Sequence, residues 1–208
     1  MGVKKVIQKI WKEKKVLEGE ATKNKFYSAQ KDFETEEIAR EEFKRSKAKL
    51  FNVNRWSDMP GITSSFQLCN ELGEKKQATQ PLVGDYLYIE LPGPTPPNWV
   101  KVIDIKVEDD FAEFTVSPSA NPRAKGEESE EIKHFFIDEA TSTFRVHREG
   151  RTIFGYEIGK NEGINNEGKE AGDRGLINTV IAEGGWAAFQ KIQWEKFADY
   201  VVHNIEIE

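Results

Sequence analysis

WVKVIDIKVEDDFAEFTVSP, residues 99–118, decides the fold. In its second half the apolar side chains recur at every other position, with Ala112, Phe114 and Val116 set against Glu113 and Thr115. A period of two marks a strand with one wet face and one buried face. Between the two apolar runs, Asp109-Asp110 offers a short polar corner. The stretch therefore reads as two strands, 99–108 and 111–118, folded back on each other through a tight turn. Neighbours joined this closely are antiparallel, and their apolar face needs cover from a second layer.

Outward from this hairpin the same period continues. Strands are expected at 62–69 and 84–91 before it, and at about 134–148 and 151–160 after it, the last two joined at Glu149-Gly150. In the later pair, Phe144 and Val146 alternate with Thr143, Arg145 and His147. A further strand is expected near the start, over Lys25 to Glu34. Between it and the sheet the period lengthens. Thr35 is a natural N-cap, Glu36 and Glu37 suit the positive end of a helix dipole, and Ile38, Ala39, Phe43, Leu50 and Phe51 form a stripe. This predicts a helix over 36–51, followed by a helical turn holding Trp56. The Pro-rich run 92–97 cannot supply a regular ladder and reads as a stiff loop. Residues 119–131 and the Gly-rich 159–175 read as connections. Asp173 caps a final helix carrying Leu176, Ile177, Val180 and Ile181, then Trp186, Phe189, Trp194, Phe197 and Tyr200. Gly184-Gly185 weakens its middle, which predicts a kink or two consecutive helices.

The order of elements makes the chain an α+β protein: a curved antiparallel sheet of about seven strands wrapped on a long C-terminal helix. An extra amphipathic helix over 3–17 carries Val3, Val6, Ile7, Ile10 and Trp11 on one face and Lys4, Lys5, Lys9, Lys12 and Lys15 elsewhere. Residues 1–24 are thus expected to form a helix and linker, and 25–208 the folded domain. Aromatic residues make up 11% of the 208, which supplies a core despite a charged fraction of 32%.

Composition narrows the function classes. Residues 1–50 hold 14 Lys and Arg against 9 Asp and Glu, whereas the whole chain has a net charge of −6, so the body is acidic. An acidic body disfavours nucleic acid as the main partner. No apolar run approaches membrane-spanning length, and the N-terminus lacks a signal-peptide pattern, so a cytoplasmic location is expected. The single cysteine, Cys69, allows no internal disulfide and no Cys-rich metal site. His134, His147 and His203 have no neighbours at metal-ligand spacing. Phosphate-cradling, zinc-protease and nucleophile-elbow motifs are absent, so neither a metal nor a cofactor is expected.

The helix Phe43 to Trp56, the strand Gly84 to Leu91, the paired strands 140–148 and 151–160, and the aromatic helix ending Trp194 to Tyr200 together resemble the helix-grip fold of the START-like (SRPBCC) superfamily over roughly residues 25–205. The likeness is one of element order. Helix 3–17 and the Gly184-Gly185 break depart from it. What it implies is a cavity between sheet and C-terminal helix. The rings expected to line that cavity are Trp56, Tyr88, Trp99, Phe114, Phe144, Tyr156, Trp186 and Phe189. Plain core packing is the other role open to these rings.

Three functions follow as expectations. The first is binding of a small apolar molecule in the cavity, with affinity near micromolar. The second, also implied by the resemblance, is an enzyme of the cyclase or dehydratase kind, for which Asp104, His134 and Tyr156 are the candidate acid–base groups. The third is an interaction module that self-associates or docks through residues 3–17.

Overall fold

The computed structural model describes residues 23–92, 97–124, 140–162 and 185–207. Strand β1 (Lys23–Asp32) leads into helix α1 (Glu36–Phe51) and a short 3-10 helix (Val53–Asp58). Strands β2 (Ser65–Cys69), β3 (Tyr86–Glu90), β4 (Asn98–Val107), β5 (Phe111–Ser119), β6 (Thr141–Glu149) and β7 (Thr152–Glu162) follow, and helix α2 (Gly185–Val201) ends the chain. All seven strands form one antiparallel sheet in the order β1-β7-β6-β5-β4-β3-β2. The sheet curls into a half-barrel against α2, the helix-grip α+β arrangement.

Local chemistry accounts for the elements. Thr35 caps α1 as its hydroxyl accepts from the Ile38 amide at 3.3 Å, and Glu36 and Glu37 sit in the first turn. Gly150, at φ +57°, turns the β6–β7 hairpin. Between β4 and β5 the register shifts between Val102 and Asp104, leaving Ile103 as a bulge residue. A bulge resets the alternation, so Val102 and Ile105 both face inward and Asp104 and Lys106 outward.

Both helices cover the inner face. Trp56 is fully buried, with its indole N–H donating to the Lys49 carbonyl at 3.1 Å. Around it stand Phe66, Phe114, Phe144 and Phe197, at ring-centroid distances of 5.6, 5.9, 4.8 and 4.7 Å. The 3-10 helix thus drives one indole into the middle of the sheet–helix interface. The C-terminal half of α2 lies close on β7 because residue 155 is glycine. A Cβ there would come within 2.5 Å of Val201 and 2.9 Å of the Ala198 carbonyl.

Some expectations fall outside the described residues: helix 3–17, the proposed cap Asp173, Gly184 and His134. The sixth strand begins at Thr141, with 125–139 likewise outside the described residues. The last strand continues to Glu162, beyond the expected end at 160.

Candidate functional site

A cavity of about 70 Å³ remains between the inner face and the N-terminal half of α2. Its sheet wall is aliphatic, made by Leu87, Ile89, Val100 and Val116. Aromatic rings line the other sides: Trp56, Phe66, Phe144, Phe189 and Trp194. Four polar side chains interrupt this lining, namely Asn98, Ser142, Gln190 and Gln193. Gln193 is engaged, its Oε1 accepting from the Ser64 hydroxyl at 2.6 Å. Gln190 is buried, and its Oε1 has no hydrogen-bond partner. A mostly apolar chamber with a few convergent polar groups has the composition of a small-ligand site. Its volume is equivalent to roughly five waters, since one needs about 10–15 Å³.

The eight rings expected at such a site divide. Trp56, Phe144 and Phe189 line the cavity. Phe114 is fully buried but sits behind Trp56 in the core. Tyr88, Trp99 and Tyr156 lie on the outer face of the sheet, a correction to the expectation. Strand alternation is the reason: Leu87 and Ile89 point in, so Tyr88 points out; Val100 points in, so its neighbour Trp99 points out. Trp99 is nevertheless 3% exposed, because Tyr86, Tyr88 and the Arg123 guanidinium, 5.0 Å from its ring, cover it. Tyr156 belongs to an outer row in which it stacks on His147 at 5.5 Å and meets Phe26 at 5.2 Å. For Trp186 the backbone lies in the first turn of α2, and its side chain is outside the described residues.

The acid–base candidates do not meet in the cavity. The β4 bulge turns Asp104 outward, where it pairs with Lys106 at 2.9 Å. Tyr156 is also outside, and His134 is not among the described residues. Cys69 is buried, and burial pushes its thiol pKa up, opposite to what an activated thiolate needs. Among the described residues, no group of three His, Cys, Asp or Glu side chains is placed to hold a metal ion. No helix among them is long and apolar enough to cross a membrane.

A titratable group outside those candidates faces inward. Glu157 is fully buried on the inner face of β7, directly opposite Phe144 of β6. Neither of its carboxyl oxygens completes a hydrogen bond. Desolvation, then the nearby Glu162 carboxylate, push its pKa well above the usual carboxylate range; the Ser142 hydroxyl and Lys25 pull the other way and lose. Beside it, Lys25 and Glu162 form an ion pair at 3.0 Å, with side chains 10% and 2% exposed. The signal for Glu157 was the pair Gly155 and Gly159. Gly155 lies against the helix and Gly159 is inward in the same phase of β7, which Glu157 shares.

No protein-family model matches the chain, and no curated protein sequence matches it. Solved structures do. A hypothetical protein from Helicobacter pylori is similar over 93% of this chain and 94% of its own, at 12% identity and a TM-score of 0.52. A major latex-like protein from Panax ginseng covers 79% of this chain and 96% of its own, at 12% identity and a TM-score of 0.38. Norcoclaurine synthase from Thalictrum flavum, solved with dopamine and hydroxybenzaldehyde, covers 89% and 90%, at 12% identity and a TM-score of 0.39. At such identities a likeness speaks to fold alone. What the chain shares with the first of these along nearly its whole length is its architecture, an antiparallel sheet gripping a C-terminal helix.

Proposed function

We propose that this protein binds a small, mainly apolar molecule in the chamber between the sheet and α2. The observation that carries the reading is the chamber itself. Aromatic and aliphatic side chains fill the rest of the interface, yet about 70 Å³ is left beside Trp56, Phe144 and Phe189. Space walled by apolar groups in an otherwise packed core costs stability, because its lining loses dispersion contacts. An apolar ligand restores those contacts.

The size of the chamber sets the affinity. A ligand of roughly eight non-hydrogen atoms buries on the order of 200 Å², worth ~5 kcal/mol gross at the usual coefficient. Association costs reduce this, so dissociation constants near or above ~1 mM are expected for an unfunctionalised hydrocarbon, weaker than the micromolar value expected from the sequence. Anything tighter must draw on the polar groups of the lining. With Asp104 and Tyr156 turned outward, a binding role needs fewer assumptions than catalysis by those residues.

Toluene is a suitable probe. Titrated into isotope-labelled protein, it should shift the methyl resonances of Leu87, Ile89, Val100 and Val116 while leaving Val201, at the far end of α2, unchanged. In Val116→Phe, which fills the chamber, those shifts should disappear. Uniform small shifts throughout the protein, or none at saturating toluene, would refute the reading.

A further inference from the structure

Three side-chain oxygens lie buried without partners: both carboxyl oxygens of Glu157 and Oε1 of Gln190. Gln190 is part of the chamber wall. Glu157 stands one layer behind it, next to Ser142 and opposite Phe144, both of which line the wall. Buried polar atoms in folded proteins are almost always satisfied, so orphans in and behind the chamber wall ask for a polar partner. Charge gives the same indication. Glu157 and Glu162 share this interior with one described ammonium, Lys25, and Lys25 is paired with Glu162. Were Glu157 to ionise, the cluster would lack one positive charge among the described residues.

We infer that the chamber takes a primary amine on a small apolar body, its ammonium lodged between Glu157, Ser142 and Gln190. This rests on the binding function proposed above and names the ligand's chemical class. A primary ammonium brings three N–H donors and one positive charge, matching the three orphan acceptors and the missing counter-charge. A neutral alcohol brings one donor and no charge. A carboxylate brings acceptors to a site already rich in them. Charge-assisted hydrogen bonds are roughly twice as strong as neutral ones, and a carboxyl shielded from water gains most from such a partner.

The proton balance follows. In the empty site burial and the Glu162 charge raise the Glu157 pKa and favour the neutral acid. The ligand arrives from neutral solution as an ammonium. On binding, Glu157 ionises against it, and one proton passes to the solvent per ligand bound. Lys25 of β1 and Glu162 of β7 are the charged groups acting on Glu157, and the Ser142 hydroxyl of β6 is its neutral neighbour. Affinity should therefore rise with pH, by up to about tenfold per unit, until the free carboxyl ionises unaided.

Benzylamine, benzyl alcohol and toluene share a ring and differ in the head, and calorimetry on the full chain separates their fates. Benzylamine should bind at least about tenfold more tightly than benzyl alcohol at pH 7. Its apparent enthalpy should differ between phosphate and Tris buffers by the amount that release of one proton requires. Glu157→Gln keeps the shape and removes the ionisable group, so the amine preference and the buffer dependence should both vanish while toluene still binds. Ser142→Ala serves as a second variant and should weaken the amine by a larger factor than it changes toluene. Equal affinities for amine and alcohol, or an amine preference that survives Glu157→Gln, would overturn the inference and leave the chamber intact. Failure of all three probes, toluene included, would remove the binding function together with it.

Discussion

Among the described residues, His203 alone combines burial, a left-handed backbone and a titratable ring. It is 6% exposed, at φ +66°, just past the end of α2. Its Nε2 lies 3.0 Å from the Glu42 carbonyl and 2.9 Å from the Ser46 hydroxyl. A carbonyl can only accept, so Nε2 carries the proton and donates. Desolvation pushes the imidazole pKa down, and the positive Lys49 adds to this, while the Glu42 carbonyl and charge partly oppose it. The folded state then binds fewer protons than the unfolded one near pH 6. Stability from this group is complete above the unfolded pKa of about 6.5 and is lost as pH falls through the lower folded value. Urea midpoints for wild type and His203→Gln at pH 7.5 and 5.5 test this. The wild type should lose up to about 1 kcal/mol more than the variant across the interval; a difference independent of pH would be inconsistent with it. At this scale the sequence was least legible. Whether His203 packs against Ser46, or Glu157 rather than Tyr156 faces the helix, depends on contacts 157 residues apart or on the phase of one strand. Shifting the phase by one position exchanges a tyrosine for a glutamate.

Elements were far easier to read, because caps, turns and periods are local. The expected helix 36–51 is the α1 of the structure, and both expected tight turns join adjacent strands. The difficulty lay in deciding which face of each strand was inner. Aromatic residues belong inward on the general ground that they fill cores. Here α2 and the 3-10 helix bring their own rings, Phe197, Trp194 and Trp56, so β3 and β4 contribute smaller aliphatic side chains and turn Tyr88 and Trp99 out. The bulge at Ile103 could not be read from alternation, since it breaks the alternation. Gly155 marks the inner phase of β7 more surely than any aromatic, and it supports a prediction at this scale. Gly155→Ala forces a methyl to within 2.5 Å of Val201 and 2.9 Å of the Ala198 backbone, and the backbone contact cannot be relieved by a rotamer change. The helix must lift from β7, at a cost of about 1–3 kcal/mol. Thermal unfolding should show a clear drop in midpoint; an unaltered midpoint would mean that α2 does not rest on β7 at this position.

At the scale of the whole molecule, the sheet separates two kinds of electrostatics. Its outer face carries charge in water and resolves it locally: Glu113, though 4% exposed, accepts from Arg145 at 2.6 and 2.8 Å and from Lys106 at 3.0 Å. The inner face, dry and aromatic around Trp56, holds Glu157 without such partners. A group of this kind opposes folding whenever it must ionise. Its folded pKa is raised, so the folded state binds more protons than the unfolded state from about pH 4.5 upward. Stability from the bound proton is complete below the unfolded pKa and is lost as pH rises through the folded one. Glu157→Gln preserves volume and removes this dependence, so the variant should gain on the wild type as pH is raised from 5 to 8, by up to about 1.4 kcal/mol for each unit that the folded pKa is displaced. Chemical denaturation at pH 5, 6.5 and 8 measures the difference directly. A gap between the two proteins that stays constant, or narrows toward pH 8, would mean that Glu157 is already charged and partnered in the folded protein. A steadily widening gap would show a fold that keeps one unsatisfied acid beside its chamber at a cost to its own stability, the condition under which an arriving cation has most to offer it.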